Sequence, residues 1–140
     1  MFPLGTVLVP KAVVPLQVFE PRYQTMLADV MTGDRKFGVV LIERGSEVGG
    51  GDVRTDVGTV AQVVELRPIA ADRWLVIVAG MERITVDRWL FDDPYPMAEV
   101  SGFPDEPGPS VDVQEWNALK RRMRRVLAGL AELGDTVARA

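Results

Sequence analysis

Few side chains in this 140-residue chain are capable of nucleophilic chemistry. The sequence contains no histidine and no cysteine, which excludes Ser-His-Asp and Cys-His catalysis, thiolate zinc sites and disulfides. A Ser/Lys dyad is formally available from the serines and lysines of the chain: Ser46, Ser101 and Ser110 with Lys11, Lys36 and Lys120. None of these serines lies in a motif that would activate it. We therefore expect no catalytic residues and no enzyme activity.

Phosphate-binding and metal-binding motifs are also missing. The Gly49-Gly50-Gly51 run lacks the lysine, the hydroxyl residue and the following helix of a phosphate-binding loop. The spacing of Glu47, Asp52 and Asp56 matches no calcium-binding loop. We therefore expect neither a cofactor nor a metal, and we interpret these residues as parts of a solvated loop.

Charge is distributed unevenly along the chain, whose net charge is −4. Residues 1–110 hold ten Lys/Arg against sixteen Asp/Glu, and residues 111–140 hold six against four. The cations of the second part cluster at Lys120-Arg121-Arg122-Met123-Arg124-Arg125. This cluster predicts either a solvated helix face or a site for an acidic partner. Because the larger part is acidic, nucleic-acid binding is unlikely on this sequence.

Aromatic and sulfur-containing side chains surround one predicted turn between two strands. Trp89, Phe91, Tyr95 and Met97 lie within nine residues of one another along the chain. Two interpretations remain open: the four side chains pack in a core, or they line an exposed groove for apolar peptide side chains. On the second interpretation they are the candidate peptide-contact residues.

The periodicity of apolar residues predicts one early helix among several strands. Residues 13–19 are apolar and partly β-branched, which favours a strand. Pro21 suits a first helical position, and apolar residues at helical spacing follow up to Met31, with Gly33 as the stop. Further strands are predicted at 36–43, 57–66, 74–87 and 95–101, with a turn at 68–73. This order predicts a mainly β (α+β) fold, a closed or nearly closed barrel.

A stiff polar linker, residues 104–110, separates this domain (residues 1–103) from a C-terminal helix at 111–140. Asp112 and Glu115 have capping-box spacing. A stripe of apolar residues from Trp116 to Leu133 follows at intervals of three and four. Since one helix cannot bury its own stripe, we expect this one to be buried on the barrel or on another chain, for example in a homodimer.

The opening residues carry a recognisable pattern. Phe2-Pro3-Leu4, then Pro15-Leu16, then Phe19-Glu20-Pro21-Arg22-Tyr23 resembles the N-terminal substrate-binding domain of the ATP-dependent Lon proteases. Small stand-alone proteins also carry this domain, and we expect such a protein here. The resemblance covers residues 1–103 and continues in Val57–Ala61, in Val76–Gly80 with Glu82-Arg83, and in Tyr95-Pro96.

This resemblance implies a PUA-like pseudo-β-barrel with one helix packed on it, followed by the start of a helical subdomain. It also implies a non-catalytic domain that recognises unfolded or apolar polypeptide segments or a partner protein. The ATPase and peptidase parts of full Lon are not in this sequence. The alternative is an RNA-binding module, because PUA-like barrels bind RNA, although the acidic composition argues against it.

Glu20 and Arg22 of the signature have two possible roles. They either contact a bound peptide or form a structural ion pair at the strand-to-helix turn, and the planar, bidentate guanidinium favours the structural role. Finally, the sequence has no apolar run near the roughly 18 residues of a membrane helix and no recognisable secretory signal. We therefore expect a cytoplasmic protein without membrane contact.

Overall fold

The fold is taken from a computed structural model, which describes residues 1–45, 51–106 and 108–132. Ser46, Glu47, Gly49, Gly50, one linker residue and the end of the predicted stripe at Leu133 therefore lie outside the described residues. The chain divides into two compact units, Met1–Asp105 and Glu106–Ala140. We call the first the barrel unit.

Six strands and two helices make up the described chain. In chain order they are β1 (Phe2–Leu4), β2 (Val13–Val18), α1 (Pro21–Thr32), β3 (Lys36–Arg44), β4 (Val53–Ala70), β5 (Arg73–Trp89), β6 (Ala98–Gly102) and α2 (Val113–Glu132). The strands form one six-stranded sheet, and the predicted mainly β, α+β class is confirmed.

The sheet runs in the order β1-β3-β4-β5-β2, and β6 pairs with the remaining part of β5. Only β1 and β3 pair in parallel; the other pairs are antiparallel. β4 and β5, with 18 and 17 residues, are much longer than the usual strand of about 3–10. Irregularities in their register, for example between Thr59 and Ala61, bend the hairpin and let the sheet curl.

Three predicted strand limits are wrong. β4 begins at Val53 rather than at residue 57, so Asp56, interpreted above as part of a loop, lies in a strand. The turn expected at 68–73 is confined to residues 71 and 72, because β4 continues through Pro68 and that residue lies opposite Trp74. A proline is tolerated there because the register shifts between Pro68 and Ala70 and the strand end is exposed. The last strand begins at Ala98 rather than at Tyr95.

The two strands at the ends of the sheet order each contain a proline. Pro3 lies in β1 and Pro15 in β2. A proline has no N–H to donate to a neighbouring strand, so it is confined to positions such as edge strands. The chain has thus placed proline in both terminal strands of the sheet.

Gly80 in β5 allows the segment before β2 to cross the sheet closely. Its N–H donates to the Ala12 carbonyl, and its own carbonyl accepts from the Lys11 N–H, both at 2.8 Å. A Cβ at this position would lie 2.3 Å from the Val9 carbonyl oxygen. No other residue type fits here without moving the backbone.

Helix α1 supplies one wall of the core. The Glu20 carbonyl accepts from the N–H groups of Tyr23 and Gln24, and Pro21 occupies the first turn. The buried face of the helix carries Tyr23, Met26 and Leu27. These side chains pack against buried residues of the strands: Phe2, Leu4, Leu16, Val18, Phe37, Val39, Ala61, Val63, Val76 and Val78.

Helix α2 begins as predicted but is not buried. An Asp112 side-chain oxygen accepts from the N–H groups of Gln114, at 2.5 Å, and Glu115, at 3.3 Å, which satisfies two donors of the first turn. No described residue of α2 is buried, and Trp116 remains 48% exposed. The expected burial of the stripe, on the barrel or on another chain, therefore stays a prediction. Among the described residues, no helix is long and apolar enough to cross a membrane.

Candidate binding cleft

The curled sheet brings its two terminal strands to the same cleft, of about 280 Å³. We call it the edge cleft. β1 and β2 form its walls and the beginning of α1 closes one end; its lining is Phe2, Pro3, Leu4, Thr6, Pro15, Leu16, Gln17, Val18, Phe19, Glu20 and Tyr23. Most of these side chains are apolar, and β1 and β2 pair with β3 and β5 rather than with each other. The cleft therefore combines apolar walls with two strand edges.

The signature residues join the strand-to-helix turn to β1. The Arg22 Nε donates to a Glu20 carboxylate oxygen at 3.1 Å. The Arg22 guanidinium lies 4.5 Å from the centre of the Tyr23 ring, which itself lies 4.5 Å from that of Phe2. This chain of contacts fixes one end of the edge cleft. It includes the ion pair that a structural role would require, and that role stays a prediction.

The Tyr23 hydroxyl is buried and has no hydrogen-bond partner among the residues that the structure describes. Burial raises the pKa of this phenol to about 12. Two smaller effects have opposite signs, since the charge of Arg22 lowers the pKa and that of Glu20 raises it. The hydroxyl therefore remains protonated and uncharged near neutral pH. Its burial without a partner carries a desolvation cost, which the packing of the ring offsets.

Phe19 is the most accessible aromatic side chain of the edge cleft. It is 41% exposed, whereas Phe2 and Tyr23 are buried. The Arg73 guanidinium lies 5.4 Å from its ring centre. Phe19 thus stands at the rim, where it is able to meet a ligand without being needed for the core.

The four residues predicted to contact peptide have different environments. The Trp89 ring lies 4.8 Å beneath the guanidinium of Arg54, and Tyr95 packs on the core and donates to an Asp29 carboxylate oxygen at 2.8 Å. That hydrogen bond raises the pKa of Tyr95. Phe91 and Met97 remain exposed, by 86% and 37%. None of the four lines the edge cleft.

Arg54 holds the neighbourhood of Trp89 in place. It bonds Asp52 at 2.7 Å and Asp92 at 3.1 Å. Burial raises the pKa of Asp52, but the hydrogen bond and charge of Arg54 outweigh it and hold that pKa below its ordinary value. Both partners of the guanidinium are carboxylates, so this region is a structural ion-pair cluster more than an apolar groove.

A second apolar cleft, of about 460 Å³, lies at the crossing segment 7–10, β3 and the first half of β4. Its cation, Arg83, stacks on Phe103 at 4.5 Å and pairs with Asp105 at 2.5 Å. Thr59, which also lines it, donates to the Leu8 carbonyl at 2.7 Å. The Thr59 hydroxyl and part of the Arg83 guanidinium are thus engaged within the fold, while the buried Arg83 Nε has no hydrogen-bond partner among the described residues. Within residues 1–45, 51–106 and 108–132, no three His, Cys, Asp or Glu side chains are grouped to hold a metal.

The sequence alone does not predict the edge cleft, although most of the residues that line it belong to the signature. Phe2 and Leu4 are distant in sequence from Leu16, Val18 and Tyr23, and the curled sheet brings the two groups together. The available signal was proline. Pro3 and Pro15 interrupt otherwise strand-like runs, which indicates edge strands.

Comparisons with known proteins agree with this architecture. Residues 1–139 match the ATP-dependent protease La (LON) substrate-binding domain family. Lon protease 2 of Myxococcus xanthus is 30% identical over 133 residues, covering 92% of this chain and 16% of that protein. The Lon protease of Anaeromyxobacter dehalogenans is 30% identical over 131 residues, covering 92% and 15%. The chain thus spans about one sixth of the length of these relatives.

Two solved structures share the fold. The Lon N-terminal domain protein from Xanthomonas campestris superposes with a TM-score of 0.70 at 26% identity, covering 90% of this chain and 71% of that one. The N-terminal domain of the Mycobacterium avium complex Lon protease gives a TM-score of 0.58 at 18% identity, covering 93% and 65%. Together with the match over residues 1–139, these likenesses lead to one conclusion: the chain belongs to the Lon substrate-binding domain family.

Proposed function

We propose that this domain binds extended, apolar segments of unfolded polypeptides in the edge cleft. The observation that carries this proposal is the cleft itself, which places apolar walls between two strands that end the sheet. An extended peptide is the ligand that pairs with a strand edge and inserts alternate side chains into apolar pockets. Membership of a substrate-binding domain family supports the same class of ligand.

The cleft favours weak and unselective binding. Its volume of about 280 Å³ lies at the lower limit of ligand pockets, ~300–1,000 Å³, so it accommodates only a few side chains. Pro3 and Pro15 each remove one backbone donor from the strand edges. Apolar contact therefore contributes more than strand pairing, and an unfolded ligand loses chain entropy on binding. We expect dissociation constants in the micromolar range or weaker.

The proposed role is binding without catalysis. The chain corresponds to about one sixth of the length of its Lon protease relatives, and the absence of histidine and cysteine excludes the usual nucleophile-base pairs. Phe91 and Met97 extend the proposed peptide contact as exposed apolar side chains outside the cleft. Trp89 and Tyr95 would contribute less, since Arg54 and Asp29 engage them.

One pair of matched substitutions tests the edge cleft. Phe19 and Phe103 are both 41% exposed, and each stacks with an arginine, but only Phe19 lines the cleft. An aromatic side chain that a ligand covers fully is the kind of residue whose truncation to alanine costs more than ~1 kcal/mol of binding free energy. Phe19→Ala should therefore weaken binding of labelled, permanently unfolded carboxymethylated lactalbumin at least about fivefold, by fluorescence anisotropy. Phe103→Ala should leave the affinity within about twofold. Equal effects of the two substitutions would contradict the proposal.

Two further ligands separate the binding classes. An apolar peptide and its backbone N-methylated form should bind with similar, weak affinity if apolar contact dominates, and affinity should hardly change with salt. The RNA-binding alternative predicts the reverse, because affinity for a single-stranded oligonucleotide falls steeply with ionic strength. Salt-sensitive oligonucleotide binding without any response to the unfolded protein would replace the polypeptide proposal by the RNA one.

A further inference from the structure

Helix α2 presents an apolar face to solvent. Trp116, Leu119, Met123, Val126 and Leu130 are between 37% and 61% exposed. They follow one another at alternating intervals of three and four residues, which is the spacing of the two apolar positions, a and d, of a coiled-coil heptad. Trp116, Met123 and Leu130 take position a, and Leu119 and Val126 take position d.

Exposure of such an apolar stripe to water is unfavourable in free energy. A run of exposed apolar side chains on one helix face marks an interaction site far more often than scattered single residues do. On the described helix, the Lys120 ammonium lies over one end of this face, 5.1 Å from the centre of the Trp116 ring. The helix therefore offers a seam for another helix.

The charges that flank the seam determine which helix fits. Positions e and g border the apolar seam and set partner choice and orientation. Glu115 and Arg122 occupy g, and Lys120 and Leu127 occupy e. In a parallel pair, a g residue faces the e residue of the partner's following heptad. Glu115 then faces Lys120 of the second copy, and the two-fold axis repeats this opposite-charge pair.

The remaining charges are compatible with that arrangement. Arg122 would face the apolar Leu127, so no like charges meet across a parallel seam. Arg121, Arg124 and Arg125 take positions f, b and c, which point away from the seam. In an antiparallel pair, g meets g, and Arg122 lies near the middle of α2 (Val113–Glu132), so two arginines would come together there. The parallel sense thus pairs opposite charges across the seam, whereas an antiparallel pair centred on the middle of α2 brings two arginines together.

We propose that two copies of this chain associate in parallel through α2, with Glu115 of each facing Lys120 of the other. The described seam is shorter than the three to four heptads of an independent coiled coil, so the association is weak, in the micromolar range or above.

A charge-exchange experiment tests both the association and its direction. Glu115→Lys and Lys120→Glu each place like charges opposite one another in the dimer, whereas the double substitution restores opposite charges. Each single substitution should raise the dimer dissociation constant about 3- to 10-fold, and the double substitution should recover most of the loss. The measurement is sedimentation equilibrium of the 140-residue chain over a range of concentrations at low salt.

The design excludes effects within one helix. Residues five apart do not face each other on the same helix, where neighbours are three or four apart. The double variant still loses the glutamate near the helix N-terminus and the lysine over Trp116, so recovery has to come from the partner chain. Arg121→Glu, a charge reversal at position f, is the matched control and should change the dissociation constant less than about twofold. A chain that stays monomeric to millimolar concentration, or a double variant as weak as the sum of both single ones, would overturn the proposal.

Discussion

The two units of this chain use apolar residues in opposite ways. In the barrel unit, Met26 is 1% exposed and packs between α1 and the strands, whereas Met123 of α2 is 59% exposed. Both methionines lie on apolar helix faces with the same spacing of three and four residues. The difference shows that helical periodicity reports the presence of an apolar face but says nothing about what covers it.

The largest expected effect separates these two methionines. Met26→Ala should lower the free energy of unfolding of the barrel unit by ~2–5 kcal/mol, because a fully packed side chain leaves a cavity. Met123→Ala should change it by less than ~0.5 kcal/mol at low concentration. Urea denaturation followed by circular dichroism measures both. Similar losses for the two variants would show that α2 is packed in a core after all.

The second-largest expected effect is a dependence of the free energy of unfolding on pH. It belongs to the barrel unit, which contains both tyrosines. The pKa of Tyr23 is raised from 10.0 to about 12 in the folded state, so the folded chain holds this proton more tightly than the unfolded chain does. The stability that this proton supplies is fully present below pH 10 and is lost as the pH rises towards 12, up to ~3 kcal/mol.

Tyr23→Phe should abolish that alkaline dependence and cost little at neutral pH, because no described residue forms a hydrogen bond with the hydroxyl. Tyr95→Phe is the comparison, since it removes a hydrogen bond to Asp29 and should cost ~0.5–1.5 kcal/mol at neutral pH. Unfolding curves between pH 7 and the alkaline limit distinguish the two. A large neutral-pH loss for Tyr23→Phe would show that the hydroxyl has a partner in solution.

The smallest effect concerns the basic cluster. Arg122→Ala should alter the unfolding of the barrel unit by less than ~0.5 kcal/mol, because the side chain is exposed on α2. Thermal unfolding measures this, with Met26→Ala as the reference for a real loss. A clear destabilisation by Arg122→Ala would indicate that the cluster is bound to an acidic surface.

Local signals in the sequence predicted local features of the fold. Pro21 marks the start of α1, and the side chain of Asp112 caps α2, as their residue types indicate. The limits of β4 were harder to predict, because Pro68 ordinarily ends a strand and only the irregular register explains its place there. The fold class followed from the alternation of strands and turns together with the family resemblance.

The candidate site was less accessible to sequence reasoning, because it depends on contacts between distant residues. Tyr95 was interpreted as part of an aromatic cluster near its own turn, but its hydroxyl reaches Asp29 on α1. The edge cleft exists only where β1 and β2 approach each other. The approach of two terminal strands in a curled sheet leaves no local pattern in the sequence. The cleft between them therefore cannot be predicted from neighbouring residues.

The prolines in β1 and β2 also affect how readily the protein aggregates. An open strand edge is able to act as a template on which further chains add one after another, as in amyloid. Pro3 and Pro15 interrupt the donors of β1 and β2, so neither of these two edges offers an unbroken row of donors to another strand. If the proposed function holds, a domain built in this way would bind an unfolded polypeptide beside these edges without extending it into a regular ladder of strands.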